Sequence, residues 1–216
     1  MTDRQFNFSR EVHNFGPMNT YGATRGDWPG ITIDDRQLPF IELDREIEGV
    51  TSEVYYNGPE DLTLIAHLDG AVLNTIDRAA DGATGQIRLG TLAQAHYAFP
   101  TGQIRNVNGT LATGLGATAV VSLGLGTSDA GEEAPIATTS VNIVSVGALT
   151  AVASVISGNA ALKAAAFNTV VNLSAAAEAA RGIYLNASIP SAGSSDDSSI
   201  TFNSATLIAR IIRTGV

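Results

Sequence analysis

Short runs of β-forming residues, separated by turn signals about every 8–12 residues, restrict the possible folds of this chain more than any other feature. Runs of this length and spacing are typical of β-sandwiches and β-barrels. One run ends at Asn57-Gly58-Pro59, and two others flank Asn108-Gly109, a dipeptide that favours a type I′ hairpin turn. The predicted strands are 54–56, 62–66, 103–107, 110–113, 119–123, 140–144, 183–189 and 206–213, the last with a bulge at 211–212.

An alanine-rich stretch, residues 147–181, is the ambiguous part of the pattern. The segments 159–167 and 174–182 have helix-forming composition, and the second has Ser174 at its possible N-cap and Gly182 just past its end. Each segment spans only about two turns, which is marginal for an isolated helix. The intervening residues 168–173 read as a strand. We therefore predict short helical turns between strands and an all-β fold class.

The composition changes sharply near residue 49. Residues 1–48 hold 14 charged residues and six of the 13 aromatics, interrupted by Gly and Pro and without a sustained helical or strand period. Disordered tails normally lack aromatics, so we predict an extended N-terminal arm, 1–48, that docks on a neighbour, followed by a β-domain, 49–216. The alternative is that the aromatics pack on their own core. The candidate interface residues are Phe6, Phe8, Phe15, Tyr21 and Trp28.

The charge balance argues against two classes of partner. There are 12 basic and 21 acidic residues, a net charge of −9, with no basic cluster of the kind that neutralises nucleic-acid phosphates. No apolar run approaches the roughly 20 residues of a membrane-spanning helix, and residues 1–5 lack the order of a signal peptide, so synthesis in a cytoplasm is expected. Eleven basic residues are Arg, which indicates either interface use or a GC-rich genome.

Glycine-rich segments do not fit a phosphate-binding loop. Gly114-Leu115-Gly116-Ala117-Thr118-Ala119 matches a permissive G-x-G-x-x-A, but that motif needs a following helix whose amides face the phosphates. A strand pattern follows instead, and the only lysine, Lys163, lies outside any P-loop pattern. We predict that these glycines serve turns and tight strand packing.

Side chains that could carry catalysis or bind metal are scattered. The three histidines lack metal-ligand spacing, there is no cysteine, and there is no G-x-S-x-G. His67 and Asp69 are the nearest acid–base pair, with a polar pair at a strand end as the plainer interpretation. There are two acidic groups, one formed by Asp129 and residues 132–133 and the other by residues 196–197, and neither has the spacing of a calcium-binding loop. We predict a non-enzyme without cofactor or metal.

From residue 99 onward the chain resembles tailed-bacteriophage particle proteins. Phe99-Pro100-Thr101-Gly102-Gln103-Ile104 is similar to an aliphatic-Pro-x-Gly-x-Ile opening in that group. A strand such as 120–127, a polar loop, an Ala/Ser-rich middle and two closing strands like 183–189 and 206–213 follow in the same order. The resemblance covers about 99–213 as a pattern and implies a jelly-roll-like β-sandwich of the capsid-decoration or head-fibre type.

This resemblance implies a non-catalytic virion structural protein. It would be a capsid decoration (cement) or minor head protein that packs against the major capsid protein or other virion subunits. Self-association, with a trimer favoured, and a location in the virion are implied in the same way. The alternative is a sugar- or receptor-binding module of a phage fibre or tail. A glycan hydrolase is a third hypothesis, and it would need a cleft with paired carboxylates.

Overall fold

The computed structural model describes residues 40–44, 46–58, 60–77, 82–129, 136, 141–159, 161–162, 170–189 and 198–215. These residues form thirteen β-strands and one short 3-10 helix, Glu178–Arg181. The strands are β1 (Ile41–Leu43), β2 (Val50–Gly58), β3 (Asp61–Leu68), β4 (Ala71–Asp77), β5 (Ala83–Leu92), β6 (His96–Leu111), β7 (Val120–Gly126), β8 (Val144–Thr150), β9 (Val155–Gly158), β10 (Ala161–Leu162), β11 (Val170–Asn172), β12 (Gly182–Ile189) and β13 (Ser198–Gly215).

All thirteen strands join one antiparallel hydrogen-bonded sheet. Its longest path runs β10-β6-β13-β4-β5-β12-β7-β8. Off this path, β1 pairs with β5, β2 with β3, β3 with β13, and both β9 and β11 with β6. The predicted all-β class is therefore confirmed. The hydrogen bonds define a single folded sheet, and the more specific jelly-roll sandwich stays a prediction.

β13 is the central strand of this sheet. One of its edges pairs with β6 over residues 200–215. The other edge pairs first with β4 and then with β3. Because Ala71 lies opposite Phe202 and Leu68 lies opposite Ala205, β3 and β4 continue one register along β13. The two strands therefore act as one long strand interrupted at 69–70.

Three neighbouring strands are interrupted at the same level, along a line that we call the crease. It is formed by Gly70 between β3 and β4, by Asn203 and Ser204 in β13, and by Asn106 in β6. Gly70 and Asn106 have φ of 80° and 54°, and the register between β13 and β6 shifts on both sides of Ser204. The Ser204 hydroxyl donates to the Asn106 carbonyl at 3.2 Å. Bulges bend strands and increase their twist, so the crease folds the sheet.

The core lies on the inner side of the folded sheet. In β3, buried Leu62, Leu64 and Leu68 alternate with residues that face outward, as expected for a strand with one buried face. The far end of the sheet returns to β6, where the Val144 side chain lies against Gly102. A Cβ on Gly102 would come within 2.5 Å of Val144 Cγ2, so this approach requires glycine. One continuous apolar core results.

Most predicted strands are found, but the predicted hairpin at Asn108-Gly109 is wrong. β6 continues through both residues. Asn108 lies opposite Ser204 on one side and Ser157 on the other. Since β13 and β9 occupy both edges of β6 here, the backbone is already paired in an extended conformation, and no turn is needed. The turn after β2 at Asn57-Gly58, in contrast, is confirmed by the β2–β3 hairpin.

The alanine-rich stretch is mainly extended where it is described. The last four residues of β8 and all of β9, β10 and β11 lie in it, and the predicted strand 168–173 contains β11. The predicted helical turn at 174–182 is reduced to the 3-10 helix 178–181, whose N-cap is Ala177 without a side-chain hydrogen bond, so the proposed Ser174 cap is wrong. The segment 159–167 has β10 at its centre, and residues 163–167 lie outside the described residues.

The strand predicted at 140–144 is wrong for the described residues 141–143, since β8 runs from Val144 to Thr150. Asn142 explains the difference. Its side chain accepts a hydrogen bond from Thr127 N at 3.0 Å and donates one to Thr127 Oγ1 at 2.9 Å. These side-chain bonds hold the approach to β8 against the end of β7, and they compete with a regular ladder.

The bulge predicted at 211–212 belongs to the neighbouring strand. β13 keeps an unbroken register with β3 through Ile212. Its register with β6 shifts between Arg210 and Ile212, which leaves the extra residue in β6, at Phe99 and Pro100. Proline has no N–H to donate, and bulges are among the few places in a sheet that accept it.

The last part of the predicted arm, residues 40–48, belongs to the sheet domain. Ile41 in β1 lies opposite Leu92 in β5, and the Ala93 N–H donates to the Phe40 carbonyl at 2.8 Å. Phe40 and Ile41 are buried in the core. The domain therefore includes residues from at least Phe40 onward, and the boundary placed between residues 48 and 49 falls inside it. Residues 1–39 lie outside the described residues.

Candidate protein-interaction surface

The candidate interface residues of the predicted arm all lie outside the described residues, and this applies to Phe6, Phe8, Phe15, Tyr21 and Trp28. The described aromatic nearest to them in sequence is Phe40. Its ring packs 5.6 Å from the ring of Tyr97. This one aromatic of the predicted arm therefore follows the alternative expectation, packing on the domain's own core.

His67 and Asp69 lie at the end of β3, and both are exposed. His67 Nδ1 is 3.4 Å from the hydroxyl of Thr206 on the adjacent strand. Asp69 is at the crease, where its backbone N–H donates to the Gly49 carbonyl at 2.7 Å. The position of both residues at the end of a strand agrees with the plainer interpretation of a polar pair.

The glycine and acidic motifs have structural surroundings. Gly114 and Gly116 lie in turns between β6 and β7, and a strand follows them as predicted. A Cβ on Gly124 would come within 2.6 Å of Val141 Cγ1, which agrees with tight strand packing. Within the described residues, no group of three or more His, Asp or Glu side chains could hold a metal ion. The acidic residues 132–133 and 196–197 lie outside them.

The main candidate surface is a sheet face on the side away from the core that no described residue covers. We call it the outer face. It consists of three rows that each cross β2, β3, β13 and β6. The rows are Thr51–His67–Thr206–Arg105, Glu53–Ile65–Ile208–Gln103 and Tyr55–Thr63–Arg210–Thr101. The long strands of the sheet hold all three rows in fixed register.

The centre of the outer face is apolar. Ile65 and Ile208 lie directly opposite each other on β3 and β13, and both are only half-buried. Strand alternation assigns these positions to the outside of the domain. Around them lie hydroxyl, amide and charged side chains. An apolar centre with a polar rim that includes Tyr and Arg is the composition of protein interfaces.

One edge of the outer face is fixed by an ion pair. Arg210 donates from Nε to Asp61 Oδ1 at 3.0 Å and from its terminal amino group to Oδ2 at 2.6 Å. Asn57 Nδ2 donates to the same carboxylate at 3.3 Å. The Arg210 hydrogen bond, aided by Asn57, lowers the pKa of Asp61 below its ordinary value. This bidentate geometry orients the guanidinium across the strands.

Tyr55 and Glu53 form a second polar contact on this face. They are two residues apart on β2 and so share a side of the strand, where the Tyr55 hydroxyl donates to Glu53 Oε2. This hydrogen bond raises the pKa of Tyr55. The ring therefore stands beside β3 with its hydroxyl already bonded to the single charged side chain of β2.

Other arginines bind parts of the same chain together. Arg213 contacts both Glu60 oxygens, and its guanidinium carbon lies 5.5 Å from the centre of the Phe40 ring. Arg88 Nε donates to Asp44 Oδ2 at 2.5 Å, and Arg181 donates to the Leu92 carbonyl. These described arginines therefore form contacts within the chain, which neither the interface interpretation nor the GC-rich-genome interpretation of the arginine bias predicted.

The β2 strand borders the outer face and has one partner. Within the described part of the chain, its ladder is with β3 alone, from Val50 opposite Leu68 to Gly58 opposite Asp61. Among the described strands, β5 and β6 have partners on both edges, whereas the seven-residue β8 pairs with β7 alone. β9, β10 and β11 line β6, and β1 and β4 line β5. β2 is therefore a nine-residue strand with an open side.

The fold and this surface define an all-β protein. No helix in the described residues is long and apolar enough to cross a membrane. No protein-family profile, curated protein or solved structure matches the chain.

Neither the outer face nor the open edge of β2 was predicted from the sequence. The outer face left one signal, because Ile65 and Ile208 are apolar at positions where alternation requires outward-facing side chains. The open edge left none. Edge position depends on which strands pair, and no residue pattern within β2 specifies that.

Proposed function

We propose that this chain is a non-catalytic virion structural protein, a capsid decoration or minor head protein of a tailed phage that packs against capsid subunits. The observation that carries the proposal is the outer face. Ile65 and Ile208 form an apolar centre, and Tyr55 and Arg210 are oriented at its rim. Tyr and Arg supply much of the binding energy in protein interfaces.

The area of the outer face is smaller than that of a stable interface, so we expect a second contact region. Four strands spaced about 4.8 Å apart, with three rows about 6.6 Å apart, cover roughly 400 Å². A stable interface buries about 800 Å² on each partner. The outer face alone supplies about half of that area. The aromatic residues of segment 1–39 are the natural source of the remainder.

The location in a virion rests on the phage resemblance over about 99–213, and the partner follows from it. The major capsid protein or another virion subunit would cover the outer face. The acidic balance, a net charge of −9, favours a protein partner over nucleic acid, since phosphates would be repelled.

Reattachment to capsids tests the proposal. Capsids of the phage that encodes the chain, assembled without it, are mixed with purified wild-type protein or with Ile208→Ser. We expect Ile208, at the centre of the face, to be a hot spot, and truncating a hot-spot residue costs about 2 kcal/mol or more, so the variant should bind at least about tenfold more weakly. Val170→Ser, at an exposed valine on β11 away from the outer face, is the matched control and keeps wild-type affinity.

Two outcomes would overturn the proposal. Wild-type protein that fails to bind such capsids removes the partner, and equal binding by Ile208→Ser and Val170→Ser removes the surface. Binding to a purified glycan in place of capsids would favour the sugar-binding alternative.

A further inference from the structure

The open edge of β2 lacks the usual protection against pairing. Natural edge strands are kept short, or they carry Lys, Pro, bulges or unpaired charges. β2 is nine residues long, and 50–56 contains neither Lys nor Pro. Its ladder with β3 is regular from Val50 to Tyr56, and its one bulge, at Asn57, lies near the end of the strand. Its one charge, Glu53, is already bonded to Tyr55.

The core also reaches this edge. Val50, Val54 and Tyr56 point to the inner side of the sheet and pack on the core, yet each is only half-buried. Since β2 is the outermost described strand on this side of the sheet, a further strand beside it would lie next to them. A strand with inward-facing apolar residues at alternate positions would cover them.

We propose that β2 pairs with β2 of a second copy of this chain, antiparallel and across a two-fold axis at Val54. A two-fold axis perpendicular to a sheet must place one residue opposite its own copy. Val54 is the midpoint of Val50–Gly58, so this register aligns the two strands over their full length, and the residues 52–56 pair clear of the bulge at Asn57. These five regular pairs form about four to six backbone hydrogen bonds, which is near the lower end of the range for a standard interface.

The side chains are self-complementary in this register. Glu53 lies opposite Tyr55 of the second copy. The carboxylate of Glu53 accepts a hydrogen bond from Tyr55 of its own strand, and in the pair it also lies beside the Tyr55 hydroxyl of the other copy. Ser52 lies opposite Tyr56 of the second copy. Pairs directly opposite in an antiparallel ladder share a side of the sheet, so Val50, Val54 and Tyr56 of both copies stay on the core side.

The position of Phe40 argues for a second copy over the protein's own N-terminal segment. Arg213 links Phe40 to Glu60, two residues beyond the Gly58 end of β2. A segment that leads directly into Phe40 along β2 would arrive at that end, and so it would run parallel to β2. Parallel pairing is less stable per residue than the antiparallel ladder of a second copy.

Pairing would also join the two outer faces into one sheet surface eight strands wide, roughly 800 Å². The use of this joined surface for binding rests on the proposed function, whereas the pairing of β2 with β2 does not. The two-fold axis further distinguishes the arrangement from the trimer implied by the phage resemblance, since identical antiparallel strands pair two at a time.

Single-cysteine crosslinking of the full chain tests the pairing, because the natural sequence has no cysteine. Cα atoms of opposed antiparallel residues lie about 4.5–5.5 Å apart, within the range of a disulfide. Val54→Cys is therefore expected to oxidise to a covalent dimer. Val50→Cys, on the same side of the same strand, is the matched control. Its two copies would lie roughly 26 Å apart at 3.3 Å per residue, and it stays uncrosslinked.

Sedimentation of the wild-type chain gives an independent measurement, with twice the chain mass expected. A monomer, a trimer, or equal crosslinking of the two cysteine variants would overturn the pairing. A monomeric full chain that dimerises after removal of residues 1–37 would also overturn it, by showing that the chain's own segment covers the edge. If the protein is a monomer that binds capsids, only the β2 pairing is contradicted. If it is a dimer that does not bind capsids, only the proposed function is contradicted.

Discussion

Gly70 offers a direct test of the crease, because its backbone conformation is the only obstacle to a larger residue. Its φ is +80°, and a Cβ built on it meets nothing within 4 Å. Gly116 also has open space around its Cβ, but its φ is not positive. Both are exposed. Gly70→Ala and Gly116→Ala therefore differ in backbone strain and in little else.

The expected difference follows from two terms. Replacing Gly with Ala restricts the unfolded chain and stabilises by about 0.4–1 kcal/mol at a compatible site. A side chain at positive φ costs roughly 1–2 kcal/mol. The first term is common to both variants and cancels in the comparison. Gly70→Ala should therefore be about 1–2 kcal/mol less stable than Gly116→Ala.

Urea and thermal unfolding of the two variants measure this difference. At this chain length each kcal/mol shifts Tm by about 2–4 °C, so the two melts should separate by roughly 2–8 °C. Gly70→Asn should fall between them, since Asn tolerates positive φ better than Ala. If Gly70→Ala melts at or above Gly116→Ala, the crease does not depend on the left-handed conformation of Gly70, and the reasoning is refuted.

Three further predictions concern the domain boundary and two titrating groups. A chain beginning at Leu38 should keep the wild-type melting temperature, whereas one beginning at Asp44 loses β1 and the buried Phe40 and should melt well below it; equal melts would place β1 outside the cooperative unit. The pKa of Asp61 is lowered from 3.8 by Arg210, so its contribution to the free energy of unfolding is present above that pH and lost as pH falls through the lower folded value. Asp61→Asn should therefore lose less stability on acidification, and parallel pH profiles would contradict this. Burial raises the pKa of Tyr97 to about 12, so the unfolded chain ionises first and stability should fall between about pH 10 and 12. Tyr97→Phe should flatten that decline but cost about 1 kcal/mol at neutral pH, because the hydroxyl donates to the Ala93 carbonyl; an unchanged alkaline profile would count against the assignment.

Two Asn-Gly pairs show what local sequence can predict. Asn57-Gly58 ends β2 and begins the predicted turn, whereas Asn108-Gly109 lies inside a continuous strand. The dipeptide is the same, but its surroundings differ. Pro59 follows the first pair, while β13 and β9 occupy both edges of β6 at the second. Turn propensity decides the outcome only where no neighbouring strand supplies hydrogen-bond partners.

The prediction of helical turns in the alanine-rich stretch is largely wrong for a related reason. Its helix-forming composition is a weak preference, and one edge of the 16-residue strand β6 needs partners along its length. The short strands β9, β10 and β11 supply them. The hydrogen-bond partners that β6 requires lie more than 40 residues away in sequence, so the local composition of the alanine-rich stretch does not predict this pairing.

For the candidate surface, the inward and outward sides of β2, β3 and β13 follow from alternation, and this much of the outer face is readable from sequence. The alignment of Ile65 with Ile208 is not, because these residues are 143 positions apart in sequence and their pairing depends on the register between β3 and β13. The predicted arm residues, such as Trp28, lie outside the described residues, so their interface role stays a prediction.

The place of β13 in the chain has a consequence for biosynthesis. β13 follows all the strands that it joins, so during translation β3, β4 and β6 emerge before the strand that unites them. A nascent chain that stops short of residue 198 lacks the central ladder and leaves two long strand edges open. Such products should remain exposed to proteases and chaperones. Folding of the sheet therefore waits for the synthesis of β13, since only chains that contain β13 can form the central ladder.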